Sequence, residues 1–327
     1  MSAPAVVIPN WNGVRWLPGC LDSLAAQTLQ PSEVTVVDNG SSDGSLDLLR
    51  QRDVRVLELG RNTGFAFAAN RGVEAARSSF VALVNTDVEL EPDWLERMAR
   101  TLEAEPRAAS VACKMLDLAD RTRVYDAGDI LRRDGVCEQR GRFRTDDGCY
   151  DSPEEMFAAC AGAALYRREA VLGVGGFDER FFAYLEDVDL GLRLRLAGWT
   201  CRYEPAVAYH ASEGSSGALE RPMEAWVERN TLLLVAKAFP PRWLPYVAYR
   251  QLGWAWHALR ERRLRAHVRG AVAALPLLPE MLRERRALRR EAAVPIETVV
   301  PARPIRGPKA GGHPEHPHSV LRTPYSD

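Results

Sequence analysis

Short strand-like runs alternate with helical segments through the first third of the chain, and that alternation restricts the fold more than any other feature. Strands are expected over residues 5–9, 34–38, 54–59 and 80–85, and helices over 17–27, 46–52, 70–78 and 93–105. Pro92 opens the last of these helices and Pro106 follows its end. A strand–helix–strand–helix order calls for a mostly parallel sheet with right-handed crossovers and helices on both faces. The fold class expected is therefore α/β. Ligands of such sheets lie outside the carboxyl ends of the strands. Polar clusters fall there at 10–13, 38–43 and 85–89.

The middle of the chain is less regular. Antiparallel strands are expected over 110–116, 122–127 and 135–140, and a further strand over 201–209. The stretch FAACAGAALY at 157–166 is small and apolar, as close packing beneath a site requires. HASEGSSG at 210–217 reads as a flexible loop, and residues 223–293 as helical. From Pro295 the chain is rich in Pro, Gly and His and is expected to be disordered.

At 327 residues, 46% hydrophobic and 27% charged, the chain suits an ordinary globular protein. Charge is unevenly spread. Residues 229–327 carry 18 Lys+Arg against 7 Asp+Glu, while residues 1–228 carry 25 against 37. A basic tail half points to an anionic partner surface, nucleic acid or phospholipid. Residues 242–290 hold 12 Arg and 3 Glu among Trp, Tyr and Leu, which suits an interfacial helix on an anionic membrane rather than nucleic acid. The other reading is a basic solvated face whose aromatics pack on the main domain. No apolar run of about 18 residues is present, so no membrane-spanning helix is expected. The N-terminus lacks the pattern of a secretory signal, so a cytoplasmic protein is expected. Six scattered cysteines without a C-x-x-C pair suggest reduced thiols rather than zinc or disulfides.

Glu186, Asp187 and Asp189 stand just after Phe181, Phe182, Tyr184 and Leu185, and before a leucine stripe at 190, 192, 194 and 196. Carboxylates at such a helix start are favoured by the dipole and crowded toward general-base work. A solvated helix N-terminus or a structural ion pair is the plainer alternative. Asp38 ends the second strand, placed to accept from the imide N–H of uracil or thymine, or simply to form an Asx turn. Asn85-Thr86-Asp87 ends the fourth strand, where a carboxylate beside a diphosphate suits Mg²⁺ or Mn²⁺. Residues 61–65 and 70–72 are polar and glycine-punctuated, as a nucleotide or sugar pocket, or an ordinary turn, would be. His210 ends a strand, in a position for a metal ligand or a structural role.

Six segments in this order, VVIPNWNG (6–13), VVDNGSSDGS (36–45), RNTGFAFAANRG (61–72), LVNTDVEL (83–90), AGAALYRR (161–168) and GGFDERFFAYLEDVDLGLRLRLAGW (175–199), make the chain resemble a family 2 glycosyltransferase. The likeness covers about residues 4–240 and is strongest to bacterial rhamnosyltransferase-like members of polysaccharide and cell-wall synthesis. It implies a GT-A fold, which is Rossmann-like, over residues 1–222. A basic, aromatic helical extension is expected over 223–293, and a disordered tail over 294–327.

The resemblance also implies roles. Pro9, Asn10, Asn12 and Gly13 would border the nucleotide, and Asp38, with Asn39, would hold its base. Asn62, Gly64 and Asn70 would lie near the sugar-diphosphate. Asn85-Thr86-Asp87 occupies the D-x-D position, with Asp87 as metal carboxylate and His210 completing the shell. Glu186-Asp187 matches the family's acidic pair, with Asp187 as general base. Implied with them are an inverting reaction, a divalent metal (Mg²⁺ or Mn²⁺) and a nucleotide-diphosphate sugar donor, dTDP- or UDP-linked. The acceptor would be a lipid-linked glycan or cell-surface polysaccharide precursor at the inner face of the plasma membrane. The Q-x-x-R-W motif of processive synthases is replaced by RLRLAGW at 193–199, so transfer of one or a few sugars is expected. Two rivals remain. A nucleotidyltransferase would carry a basic residue in the loop that here reads PNWNG, and a silent scaffold would not need Asp38, Asp87, Asp187 and His210 together.

Overall fold

The computed structural model describes residues 2–211 and 222–302. Its first half is β1 (Ala5–Asn10), α1 (Leu17–Ala25), β2 (Glu33–Asp38), α2 (Ser45–Leu49), β3 (Arg55–Glu58), α3 (Phe65–Ala75), β4 (Phe80–Val84), β5 (Val88–Leu90) and α4 (Trp94–Ala104). Then come β6 (Ala108–Asp117), β7 (Val124–Asp126), β8 (Asp129–Leu131), β9 (Cys137–Gln139), β10 (Glu154–Met156), β11 (Ala163–Arg167), α5 (Arg168–Gly173), α6 (Glu186–Leu196) and β12 (Thr200–His210). Five helices follow: α7 (Met223–Ala238), α8 (Leu244–Arg260), α9 (Leu264–Ala274), α10 (Leu278–Glu291) and α11 (Ile296–Val299).

The main sheet runs β10-β12-β6-β11-β4-β1-β2-β3. Strands β3, β2, β1 and β4 are mutually parallel, as the alternation requires. β4 (FVALV) is buried at every residue, the mark of a strand covered on both faces. Alternate side chains go to opposite faces. Val7, Val37 and Leu83 pack with Ala69 of α3 and Leu194 of α6, whereas Ile8, Val36 and Val84 pack with Leu21 of α1 and Trp94 of α4. Beyond β4 the sheet becomes mixed. β11 pairs antiparallel with both β4 and β6, and β6 runs parallel to β12. The 110–116 segment, where antiparallel strands were expected, pairs antiparallel with β11 and β7 and parallel with β12.

Two expectations need correction. The helix expected over 70–78 starts at Phe65, directly after Gly64, and stops at Ala75. The polar residues of this stretch masked a run of small ones, Ala66, Ala68, Ala69 and Gly72, all buried on the sheet. The tail expected to be disordered from 294 is packed as far as the description reaches. Val299 and Val300 are buried, and Arg133 donates from Nε to the Val300 carbonyl at 3.0 Å. Residues 303–327, and 212–217 of the expected loop, lie outside the described residues.

The helices after 222 continue the core of the first 211 residues. Phe181, Val188 and Leu192, around α6, share one apolar cluster with Leu233, Leu234 and Phe239 of the α7 region. The aromatics divide between the two readings of the sequence. Trp243 is buried and Trp226 stacks on Phe182, while Tyr246, Tyr249 and Trp256 of α8 stand exposed.

Gly72 shows how tightly α3 seats on β1. A Cβ there would lie 2.1 Å from Val7 Cγ1, within a fully buried strand. Replacing Gly by Ala inside a helix normally gains about 1 kcal/mol. Forced overpacking costs about 1–3 kcal/mol, so the clash outweighs the propensity. Gly72→Ala is expected to lower stability by about 1 kcal/mol net, read as a fall in the urea midpoint at unchanged slope; an equal or higher midpoint would show that Val7 moves aside.

Candidate active site

At the carboxyl ends of β1, β2 and β4, side chains sew the turns into one floor. Asn10 and Asp38 are register partners, and Asn10 Nδ2 donates to Asp38 Oδ2 at 2.8 Å. Asp38 Oδ1 accepts from the backbone N–H groups of Gly40 and Ser41 at 3.1 and 3.0 Å. The carboxylate is 1% exposed and engaged at both oxygens. It forms the Asx turn of the plainer reading, at the strand end where the resemblance places the nucleotide base. Asn39 is equally occupied. Its Nδ2 donates to Asn62 Oδ1 and the Gly64 carbonyl, and its Oδ1 accepts from Thr63. Asn12, at φ 52°, accepts from Ser42 N–H at 2.8 Å. A Cβ on Gly13 would lie 2.4 Å from Asn10 Oδ1 and 3.0 Å from Thr86 Oγ1, so only glycine lets that loop rest on both turns. Pro9 is half-buried within β1, beside Val37.

The turn after β4 brings Asp87 to the end of β12. β5 pairs with β12 so that Val88 faces His210, and the Ala211 N–H donates to the Asp87 carbonyl at 2.9 Å. His210 Nε2 then lies 3.6 Å from Asp87 Oδ1, and both residues are buried. Among the described residues Asp87 Oδ1 and His210 Nδ1 have no hydrogen-bond partner. Burial holds the imidazole below its usual pKa against the pull of Asp87, which leaves a neutral ring with a lone pair to offer. Tyr125 stacks on that ring at 4.1 Å, and the Arg142 guanidinium lies over Tyr125 at 3.8 Å. The buried Asp87 Oδ1, and the His210 Nε2 beside it, fit a divalent cation that takes its remaining ligands elsewhere. Among the described residues no group of three or more His, Cys, Asp or Glu side chains is placed to hold one.

The acidic trio divides by environment. Asp189 is paired with Arg193 Nε at 2.7 Å and Lys237 Nζ at 2.8 Å, inside the core. Asp187 lies in the first turn of α6, where Oδ2 accepts from Ala161 N–H at 3.1 Å, Oδ1 accepts from Val188 N–H at 2.8 Å and the Cys160 thiol adds a further hydrogen bond. Its carboxyl titrates above the usual range because burial outweighs these hydrogen bonds. Glu186 is buried with Oε2 unpartnered, and burial together with the Asp187 charge raises it well above its usual value. Asn85 N–H donates to the Gly162 carbonyl at 2.8 Å. Residues 161 and 162 thus tie the Asp187 carboxylate to the Asn85–Asp87 turn.

Asn70, expected beside the sugar-diphosphate, is a brace within α3. Its Nδ2 donates to the Phe177 carbonyl and Glu179, and its Oδ1 accepts from Phe177 N–H at 2.8 Å. Gly64 abuts Phe182, where a Cβ would meet the Phe182 carbonyl oxygen at 2.6 Å. Two acids that sequence reasoning passed over join the site from behind. Asp126, at the end of β7, is pushed up to about 7 by burial, and Asp129 is raised by burial and by Asp126; the Asp187 charge acts on both. The only signal was two acids flanking Ala-Gly in the apolar run VYDAGDIL.

This geometry has counterparts. The model of Glycosyl transferase family 2 matches residues 5–174. The N-acetylglucosaminyl-diphospho-decaprenol L-rhamnosyltransferase of Mycobacterium tuberculosis is 30% identical over 296 residues, covering 83% of this chain and 91% of its own. A PGL/p-HBAD biosynthesis glycosyltransferase of Mycobacterium bovis is 32% identical over 206 residues, 59% of this chain and 70% of its own. The structure of GalNAc-T7 with UDP, GalNAc and Mn²⁺ aligns over 92% of this chain and 58% of that one, with TM-score 0.62 at 15% identity. A mannosyltransferase of Pyrobaculum calidifontis, in complex with GDP-Man and Mn²⁺, aligns over 88% and 80%, with TM-score 0.52 at 19% identity. At those identities the structural likeness speaks for the fold alone. The sequence matches decide the family: the chain belongs to glycosyl transferase family 2, as a glycosyltransferase of GT-A fold similar to bacterial rhamnosyltransferases.

Proposed function

We propose that the protein is an inverting, divalent-metal-dependent glycosyltransferase. It moves a sugar, rhamnose by likeness to the mycobacterial relative, from a dTDP- or UDP-linked donor to a hydroxyl of a lipid-linked glycan or polysaccharide precursor. One observation carries the reading: the Ala161–Gly162 stretch binds the Asp187 carboxylate on one side and the Asn85–Asp87 turn on the other.

The residues divide the work. Asp187 takes the proton of the acceptor hydroxyl as its oxygen bonds to the sugar C1. The bond from C1 to the diphosphate oxygen breaks on the opposite face, so the anomeric centre inverts without a covalent enzyme intermediate. Backbone N–H groups at the start of α6 orient the base, and burial makes it more basic than a solvated carboxylate. Asp87 and His210 would hold the cation, which supplies positive charge for the departing diphosphate. Asn10 Oδ1, buried and unpartnered, and the 10–14 turn border the nucleotide.

A lipid-linked acceptor explains the outer helices. Tyr246, Tyr249, Leu252, Trp256 and Leu259 are exposed along one side of α8, and Val268 and Val272 are exposed on α9. Exposed Arg260, Arg262, Arg265 and Arg269 stand among them. Apolar anchors ringed by arginine suit the surface of an anionic bilayer, with peripheral attachment at the inner face of the plasma membrane. No helix among the described residues is long and apolar enough to cross a membrane.

Asp187→Asn is expected to lower kcat by about 10²–10⁴-fold while donor binding, followed by calorimetry, is kept; near-native turnover would remove Asp187 as base. The base must be unprotonated, and its pKa is raised, so kcat should climb with pH through a limb lying above about pH 4, and that limb should vanish in Asp187→Asn. With Mn²⁺ or Mg²⁺ present, a dTDP- or UDP-sugar should raise the melting temperature, and Asp87→Asn should abolish the metal-dependent part. A shift indifferent to metal in the native protein would count against the Asp87–His210 pair. Binding to anionic liposomes should weaken with salt and with Tyr249→Ser plus Trp256→Ser; equal partition onto neutral and anionic vesicles would oppose the membrane assignment.

A further inference from the structure

The backbone just before the base is unusual. Phe182, Tyr184 and Leu185 have φ values of 64°, 70° and 63°, and none is glycine. Side-chain-bearing residues leave the left-handed region unless the surroundings hold them there. Leu185 immediately precedes Glu186 and Asp187, so its conformation sets where α6 starts and which way the base points.

One side of what holds this turn, α7, lies outside the segment matched to the family. Three of its carbonyls, those of Phe181, Ala183 and Tyr184, converge on one side-chain amide of α7. Asn230 Nδ2 donates to them at 2.9, 2.8 and 2.7 Å. An amide nitrogen carries two hydrogens, so the three oxygens share them around a hub. Asn230 is 0% exposed. Its Oδ1 accepts from Arg229 Nη1 at 2.6 Å, which turns the NH₂ end toward the loop, while Arg229 Nη2 donates to the Arg180 carbonyl at 2.8 Å. One turn earlier on α7, Trp226 stacks on Phe182 at 4.8 Å and 7°. On its other side Phe182 rests against Gly64, and its carbonyl accepts from Ala66 N–H at 3.2 Å. The turn is gripped between the start of α3 and α7.

We propose that Asn230 is the positioning residue of the catalytic base, making α7 a working part of the active site. The inference rests on the assignment of Asp187 as base. Asn230 touches no reacting atom. It keeps the 181–185 turn in the left-handed conformation from which Asp187 reaches the Ala161 N–H and the acceptor.

Asn230→Ala and Asn230→Ser, the latter keeping a single donor, separate this role from ordinary core stability. Both are made in the full-length protein and assayed with the donor that stabilises the native enzyme. In Asn230→Ala, kcat should fall roughly 100-fold, as a base displaced by about 1 Å would cause, with donor KM within about 2-fold. Asn230→Ser should recover part of the loss. Hydrogen exchange should quicken at residues 182–188 and stay unchanged across β1 and β4. Folded Asn230→Ala with kcat within about 3-fold of wild type would overturn the proposal. So would faster exchange spread evenly over the sheet, or a loss confined to donor KM. If the wild-type protein transfers no sugar from any nucleotide donor, the transferase mechanism itself fails. The exchange pattern alone then decides whether Asn230 holds the turn.

Discussion

Two residues of backbone, Ala161 and Gly162, hold the two chemical halves of the site at a fixed separation. Asp187 is anchored by the Ala161 N–H, and the Asn85–Asp87 turn by the Gly162 carbonyl. The next residues form β11, which pairs with β4 on one edge and β6 on the other. The junction cannot drift without opening the middle of the sheet. A transferase that works by alignment of base, sugar carbon and leaving group needs such stiffness. Small residues make it possible, because Ala159, Ala161, Ala163 and Ala164 are all buried and leave the strands close.

Charge is arranged around the junction according to task. Two positions separate Asp187 from Asp189, yet they live in different surroundings. Asp189 meets Arg193 and Lys237, within a network that also includes Asp178, Arg180 and Glu284. Despite burial, hydrogen bonds from Arg180 and the Lys237 charge hold Asp178 far below its usual pKa. Such a network ties α6 to α7 and α10, because removing any one partner would strand a buried charge. Among the described residues Asp187 meets no cation directly, and it has acidic neighbours, Glu186, Asp126 and Asp129, that help keep this region proton-hungry. One helix thus carries a structural carboxylate on its packed face and a reactive one at its open end.

Much of this was legible in the chain. The strand–helix alternation named the parallel half of the sheet, because buried β-branched runs and intervening helices allow few other arrangements. The acidic group at 186–189 was recognised as exceptional, and Asp87 and His210 do meet. Asp38 and Asn70 also brace the fold through hydrogen bonds to backbone and to Asn10 and Glu179, and sequence shows the donor and acceptor groups without showing which are already engaged. The start of α3 was misplaced for a related reason: its buried face is made of alanine and glycine, which carry little hydrophobic signal.

By itself, the sequence determined the α/β class, the turns at the strand ends and the residue types available there, because these follow from periodicity and local backbone preference. Only the tertiary structure decided which of those groups are free. The surroundings of Asp187 and Asp189 differ only once Lys237, 48 positions beyond Asp189, pairs with one and leaves the other. Asn230 means nothing in a helical stretch until three carbonyls of a left-handed turn close on it. Long-range packing makes these assignments, since a carboxylate's basicity and a backbone's tolerated strain depend on neighbours that come together only when the sheet is complete.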